Sequence, residues 1–154
     1  MNIKILGALA GVALLAACSA TKPAATPAAS TMAGPTPGSE EDLVQNVGDR
    51  VFYAFDSSAL SAASKTTLDK QAAWLQKYPQ DNVLIAGNCD ERDTEEYNLA
   101  LGNRRANADK DYLVAHGVAA SRLSTISYGK DRPVALGHNE QAWAQNRNAI
   151  TSVK

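Results

Sequence analysis

Histidine and cysteine, from which most metal centres and many nucleophilic sites are built, are nearly missing: two of each in 154 residues. None falls in a CxxC, HxxxH or HExxH spacing, so no metal site is expected. Cys18 and Cys89 lie in unlike surroundings, which excludes a disulfide-stapled scaffold. The formal net charge is only −1, so the chain lacks the broad basic footprint of a nucleic-acid binder. Aromatic residues make up 6% of the sequence, but the apolar fraction of 45% is enough for one modest core. There is no internal repeat. No apolar run reaches the roughly 20 residues that a transmembrane helix needs.

What the first residues do contain is a short leader. MNIK carries a positive charge, and Ile5 to Ala17 is an unbroken run of apolar or small residues. A run of that length suits the apolar region of a secretory signal, expected over residues 1–17. It closes on Leu15-Ala16-Ala17-Cys18, which resembles the lipobox of bacterial lipoproteins. That resemblance implies that Cys18 becomes the mature first residue and carries diacylglycerol and an acyl chain, a multi-chain anchor that holds stably where one chain would not. Ser19, in place of Asp, resembles the outer-membrane sorting pattern. The expected location is therefore the outer membrane, lipid-anchored and facing the periplasm. Residues 18–41 are rich in Ala, Thr, Ser and Pro, and four of the six prolines (Pro23, Pro27, Pro35, Pro37) fall there. Such a composition predicts a disordered, extended tether, with a reach of roughly 60 Å for some 20 residues.

Residues 42–154 alternate strand and helix signals. Arg50 to Phe55 is β-branched and aromatic and runs into the turn cluster Asp56-Ser57-Ser58. Ser61 offers an N-cap to a helix that Pro79 stops. Asn82 to Ala86 reads as a buried strand. Asp93, with Glu96 three residues later, predicts a helix start, and that helix runs to His116-Gly117. Leu123 to Tyr128 is a third strand, Glu140 to Gln145 a short helix, and Ala149 to Val153 a last strand. The order βαβαβ(α)β predicts an α/β (α+β) two-layer sandwich with helices packed on one mixed sheet.

The charge concentrates in GNCDERDTEEYNLALGNRR, Gly87 to Arg105. Asp93, Glu95 and Glu96 have a plain role at a helix N-terminus, where negative charge meets the helix dipole. Cys89 lacks an orienting base, so an inert packed thiol is expected. Asp90 and Glu91 are adjacent and need not face the same side, which argues against the flanking acids of a glycosidase. Helical spacing puts Leu101, Gly102, Ala106, Tyr112 and Leu113 toward the sheet, and with them Asn98, Arg105 and Asp109. Two readings of Arg105 stand: an internal pair with Asp109 four residues on, or a cation aimed into a cleft that Asp90 also borders. The second arrangement suits a zwitterion, since Asp takes an ammonium and Arg takes a carboxylate by a two-pronged hydrogen bond.

CDERDTEEYNLALGNRRANA, with VFYAFDSSAL, ISYGKDRPVALGHNE and QNRNA, closely resembles the signature of the peptidoglycan-associated lipoproteins, a branch of the OmpA-like domains. The resemblance implies a non-catalytic grip on peptidoglycan, without cofactors, through the meso-diaminopimelate of the stem peptide. It places Asp90 and Arg105 on the ligand's ammonium and carboxylate, Asn98 and Leu101 along the same pocket, and Phe55, Asp56 and Arg147 against the ligand. It also implies TolB and other Tol components as partners, on an overlapping surface, and a part in envelope integrity and cell division. The chain departs from the family pattern at Asn88, where histidine is common, and at Asp93, where glycine is usual. It departs again at Asp109, usually apolar, and at Asn148, usually arginine. Two rival readings remain: a protein-interacting lipoprotein whose pocket has decayed, which Asp109 and Asn148 keep open, and a small wall hydrolase using the acid cluster.

Overall fold

Ser61 accepts a hydrogen bond from the Ser64 amide (3.0 Å) and opens the helix Ala62–Lys77. Pro79 closes it by denying Tyr78 the helical region. This computed structural model describes residues 34–154. The expected signal segment, Cys18 and most of the tether lie outside the described residues. The described chain runs through a helical turn α1 (Glu40–Asp42) that continues as a wider π-type turn to Val47, β1 (Arg50–Phe52), α2 (Ala62–Lys77), β2 (Val83–Asn88), α3 (Glu95–Ala115), a 3₁₀ turn (Ala120–Arg122), β3 (Leu123–Gly129), α4 (Glu140–Asn146) and β4 (Asn148–Val153). The four strands form one mixed sheet in the order β1-β4-β2-β3, with β2 and β3 parallel and the other pairs antiparallel.

The fold is the expected two-layer arrangement, with differences at its edges. β1 stops at Phe52 rather than Phe55, because Phe52 pairs with Asn148, the first residue of its partner β4, and the chain turns at Asp56 (φ 50°) soon after. The N-cap of α3 is Thr94, not Asp93: its hydroxyl takes the Tyr97 amide. Asp93 sits one step outside, at φ 69°. The turn from Glu40 to Val47 was not foreseen. Its Asp42 carboxylate gathers Trp74 Nε1 (2.9 Å), Asn46 Nδ2 (2.7 Å) and the Gly38 amide (2.9 Å), and these bonds hold its pKa down at about 2.

The core lies between α2, α3 and one face of the sheet, built from Leu43, Val51, Leu68, Leu75, Val83, Ile85, Leu113 and Leu123. α3 approaches the sheet at two glycines. A Cβ on Gly87 would meet the Gly102 carbonyl oxygen at 1.8 Å, and one on Gly102 would meet Ser127 Oγ at 2.3 Å. Backbone-to-backbone contact of this kind is possible only without side chains. It draws the N-terminal half of α3 down onto the end of β2, which is where the charged stretch sits. At the other end of the domain, Arg122 fastens α2 by donating to the carbonyls of Leu75, Tyr78 and Asp81.

Candidate ligand pocket

β2 ends in a register shift between Gly87 and Asn88, a bulge against β3 that swings Cys89 and Asp90 out of the sheet. The bulge, the loop after β1, α3 and the start of β4 meet around a nearly filled pocket, with space for about one water molecule. Its walls are Phe55, Asp56, Cys89, Asp90, Asp93, Asn98, Leu101, Arg105 and Arg147. All seven residues singled out above are thus brought together, from segments up to 92 positions apart in sequence (Phe55 to Arg147).

Arg105 is completely buried. Its guanidinium donates to the carbonyls of Ser57 (2.9 Å), Asn88 (2.8 Å) and Ala54 (3.0 Å), and to Cys89 Sγ (3.4 Å). Four of its five N–H groups are thereby used, and the second hydrogen on Nη2 is left over. A two-pronged bond to a carboxylate would require Arg105 to release a carbonyl. As the structure stands, Arg105 has one free N–H, not the two that a two-pronged bond needs. The internal pair with Asp109 is not formed either. Tyr53 reaches into that space instead, its hydroxyl bonded to Asp109 Oδ1 and lying 3.0 Å from the Arg105 carbonyl oxygen. Burial raises the Asp109 carboxyl to about 7, against the opposing Tyr53 bond, and leaves Oδ2 without a partner. Tyr112, expected to face inward, is half-buried and donates to Asp69 (2.8 Å).

Asp90 is 4% exposed and carries four hydrogen bonds. Oδ1 accepts from the Arg92 amide (3.2 Å) and Arg92 Nε (3.1 Å); Oδ2 accepts from Arg92 Nη2 (2.7 Å) and Arg147 Nη1 (3.3 Å). Burial works to raise its pKa, but the Arg92 and Arg147 bonds outweigh burial and hold the carboxyl below its ordinary value. Arg147 also donates to the Tyr53 carbonyl (3.1 Å) and to Glu140 (2.6 Å). Asn98 pins the loop by donating to the Arg92 carbonyl, and Tyr97 donates to Asp56. Cys89 is buried, and burial pushes its thiol pKa up, which removes the thiolate a nucleophile needs.

Arg92, Glu140 and Trp143 are members of this site that sequence reasoning did not find. The Arg92 guanidinium lies between two rings, 4.0 Å from the Phe55 centroid and 4.2 Å from that of Trp143. Asp90 and Arg92, two residues apart with opposite charge, were a readable signal for the pair. For Trp143 and Glu140, about fifty positions further on, no local signal exists.

The sequence model of the OmpA family matches residues 52–147, from the last residue of β1 to the residue after α4. The chain belongs to the OmpA family. Peptidoglycan-associated lipoproteins are its near relatives. That of Mesorhizobium japonicum is 54% identical over 118 residues, covering 77% of this chain and 70% of the relative. That of Haemophilus influenzae is 43% identical over 150 residues, covering 96% and 95%. Among solved structures, the peptidoglycan-associated lipoprotein of Burkholderia pseudomallei superposes with a TM-score of 0.67 at 43% identity, over 69% of this chain and 90% of that one. The C-terminal domain of Helicobacter pylori MotB shares the fold at 21% identity, with a TM-score of 0.64. As an OmpA-family domain of this lipoprotein branch, the chain is a non-catalytic structural protein.

Proposed function

We propose that this OmpA-family domain binds peptidoglycan, and that the pocket between α3 and the end of β2 takes the free amino acid end of meso-diaminopimelate in the stem peptide. The observation that carries the reading is the joint placement of a buried acid, Asp90, and a buried arginine, Arg105, on the walls of one small pocket. Asp90 receives the ammonium, and the remaining N–H of Arg105 receives the carboxylate. Asn98, Leu101, Phe55, Asp56 and Arg147 complete the contact surface. Charged hydrogen bonds contribute roughly 1.5–3 kcal/mol each. Single-site affinity is then modest, and retention on the wall comes from many anchored copies engaging one polymer. In the same reading, residues 1–17 are removed, Cys18 carries the lipid, and the tether spans from the outer membrane to the wall. The protein then ties membrane to wall as part of the Tol-Pal system, with TolB competing for the same region.

The hydrogen bonds already made by Asp90 and Arg105 favour one alternative, a protein-interacting lipoprotein whose pocket no longer accepts ligand. Cosedimentation with purified walls separates the two. We expect the full-length chain to pellet with diaminopimelate-type peptidoglycan, to pellet little with lysine-type peptidoglycan, and to release no soluble fragments. Asp90→Asn should abolish pelleting. Failure of the unaltered chain to pellet with either wall would overturn the reading in favour of the alternative, and release of fragments would restore the hydrolase.

A further inference from the structure

Asp90 is meant to receive a ligand's cation, yet every acceptor position on it is taken. A carboxylate offers about four lone-pair sites, and the Arg92 amide, Arg92 Nε, Arg92 Nη2 and Arg147 Nη1 occupy them. Three of the four belong to one residue. Arg147 cannot easily yield, because it is also bonded to the Tyr53 carbonyl and to Glu140 and is buried. The Arg92 side chain is different. It is 28% exposed, and its remaining contacts are the faces of Phe55 and Trp143 and a carboxylate, Glu140 Oε2, 3.9 Å from Nη2.

Resting on the proposed binding of a diaminopimelate end, the geometry points to Arg92 as a resident cation that occupies the ligand's ammonium site and has to leave before a ligand seats. The backbone of Arg92 does not need to move, since Asn98 holds its carbonyl. Only the side chain swings. Its destination is at hand: Glu140 uses Oε1 for Arg147, and Oε2 faces Arg92. The exchange is a charge relay of one step, in which the incoming ammonium takes Asp90 and the guanidinium slides along the two ring faces onto Glu140. No charge is left unpaired at any stage, which is what a buried carboxylate requires. Arg92 is thus a positioning residue that sets affinity by competition, without itself contacting the ligand.

The test uses the purified full-length chain and calorimetric titration with the tripeptide L-Ala-γ-D-Glu-meso-diaminopimelate. Arg92→Gln keeps most of the side-chain length and removes the charge. Freeing one charged pair of this kind corresponds to about tenfold tighter binding, and Arg92→Ala should give the same direction. The lysine tripeptide shares the ammonium and should gain by a similar factor from its weaker start. A diaminopimelate tripeptide acetylated on its side-chain amine lacks that cation and should gain nothing. Emission from Trp143 adds a second readout: ligand should change it in the unaltered chain, as Arg92 shifts on the ring, and not in Arg92→Ala. Thermal melts confirm that both variants fold, and Arg92→Lys, which keeps charge but loses the planar fork, should bind between the two. If the unaltered chain binds the tripeptide and both neutral variants bind it equally or more weakly, Arg92 is no competitor and the inference is overturned. If neither the unaltered chain nor the variants bind any tripeptide, the proposed function falls and takes the inference with it. If only the neutral variants bind, both stand.

Discussion

Arg105 and Arg92 carry the same group to the same pocket and are held there in opposite ways. Arg105 comes from the middle of a long helix, is wholly buried, and is held by three backbone carbonyls drawn from the loop after β1 and the last residue of β2. Arg92 comes from a loop, is partly exposed, and is held by one carboxylate and two ring faces. A carbonyl belongs to the chain and cannot be exchanged without unfolding its segment, whereas a side-chain carboxylate accepts whichever cation is nearest. One wall of the pocket is therefore part of the fold, and the other is movable.

The strongest break of this comparison is to truncate both arginines. Arg105→Ala strands the buried Asn88 carbonyl, which costs about 1–3 kcal/mol, releases the carbonyls of Ala54 and Ser57, and leaves a cavity where a wholly buried side chain stood. A loss on the order of 5 kcal/mol in urea unfolding is expected, together with loss of wall binding. Arg92→Ala should cost about 1 kcal/mol at most, as partly exposed pairs do. Equal losses would mean that the two arginines do not differ in kind. The same logic says that loss of binding in Arg105→Ala alone does not prove ligand contact, so Arg105→Lys, which keeps the charge, is the fairer probe of recognition.

Asp109 extends the rigid side. Burial raises its carboxyl from 3.8 to about 7, so the native state holds a proton there that the unfolded chain has already lost. The Tyr53 hydroxyl, which donates toward Asp109 Oδ1 and lies 3.0 Å from the Arg105 carbonyl oxygen, opposes that rise without cancelling it. Between about pH 4 and pH 7 the native state binds more protons than the unfolded state, so stability contributed by this group falls as pH rises. The contribution is complete below pH 4 and gone above pH 7. Three pH units correspond to roughly 4 kcal/mol. Asp109→Asn should flatten that slope and be more stable than the unaltered chain at pH 8, in urea titrations at pH 4.5 and 8. An unchanged slope would place the titration elsewhere.

How far the sequence reached follows the same division. The strands, both long helices and the polar face of α3 were readable because they rest on periodicity and capping within a few residues. Ser61 and Pro79 bound α2 as expected. The satisfaction of the buried charges was not readable, because it depends on groups that carry no side-chain signature. The carbonyls around Arg105 leave no mark in the amino-acid pattern. Tyr53, which takes Asp109 away from Arg105, lies 56 positions before it. Asn88 and Asn148, two departures from the family pattern that looked separate, face one another across β2 and β4 with Nδ2 donating to Oδ1 at 2.8 Å. Both are buried, so each explains the other.

The finest adjustment of the movable side lies next to Arg92, at Asp93. Its φ of 69° is in the left-handed region, where a Cβ is disfavoured by about 1–2 kcal/mol and Asp somewhat less. No hydrogen bond of its carboxylate offsets this among the described residues, and only its carbonyl is engaged, by Lys130 Nζ at 2.8 Å. Asp93→Gly relieves the strain but gives the unfolded chain more freedom, at a cost of about 0.5–1 kcal/mol. The net expectation is a gain of about 0.5 kcal/mol in urea unfolding, with any change in affinity for the diaminopimelate tripeptide, from losing a carboxylate on the pocket wall, smaller than the roughly tenfold expected at Arg92. A loss of stability would mean that the carboxylate is supporting the loop after all. A large gain in affinity would mean that the backbone around Arg92, and not its side chain alone, has to yield when ligand binds.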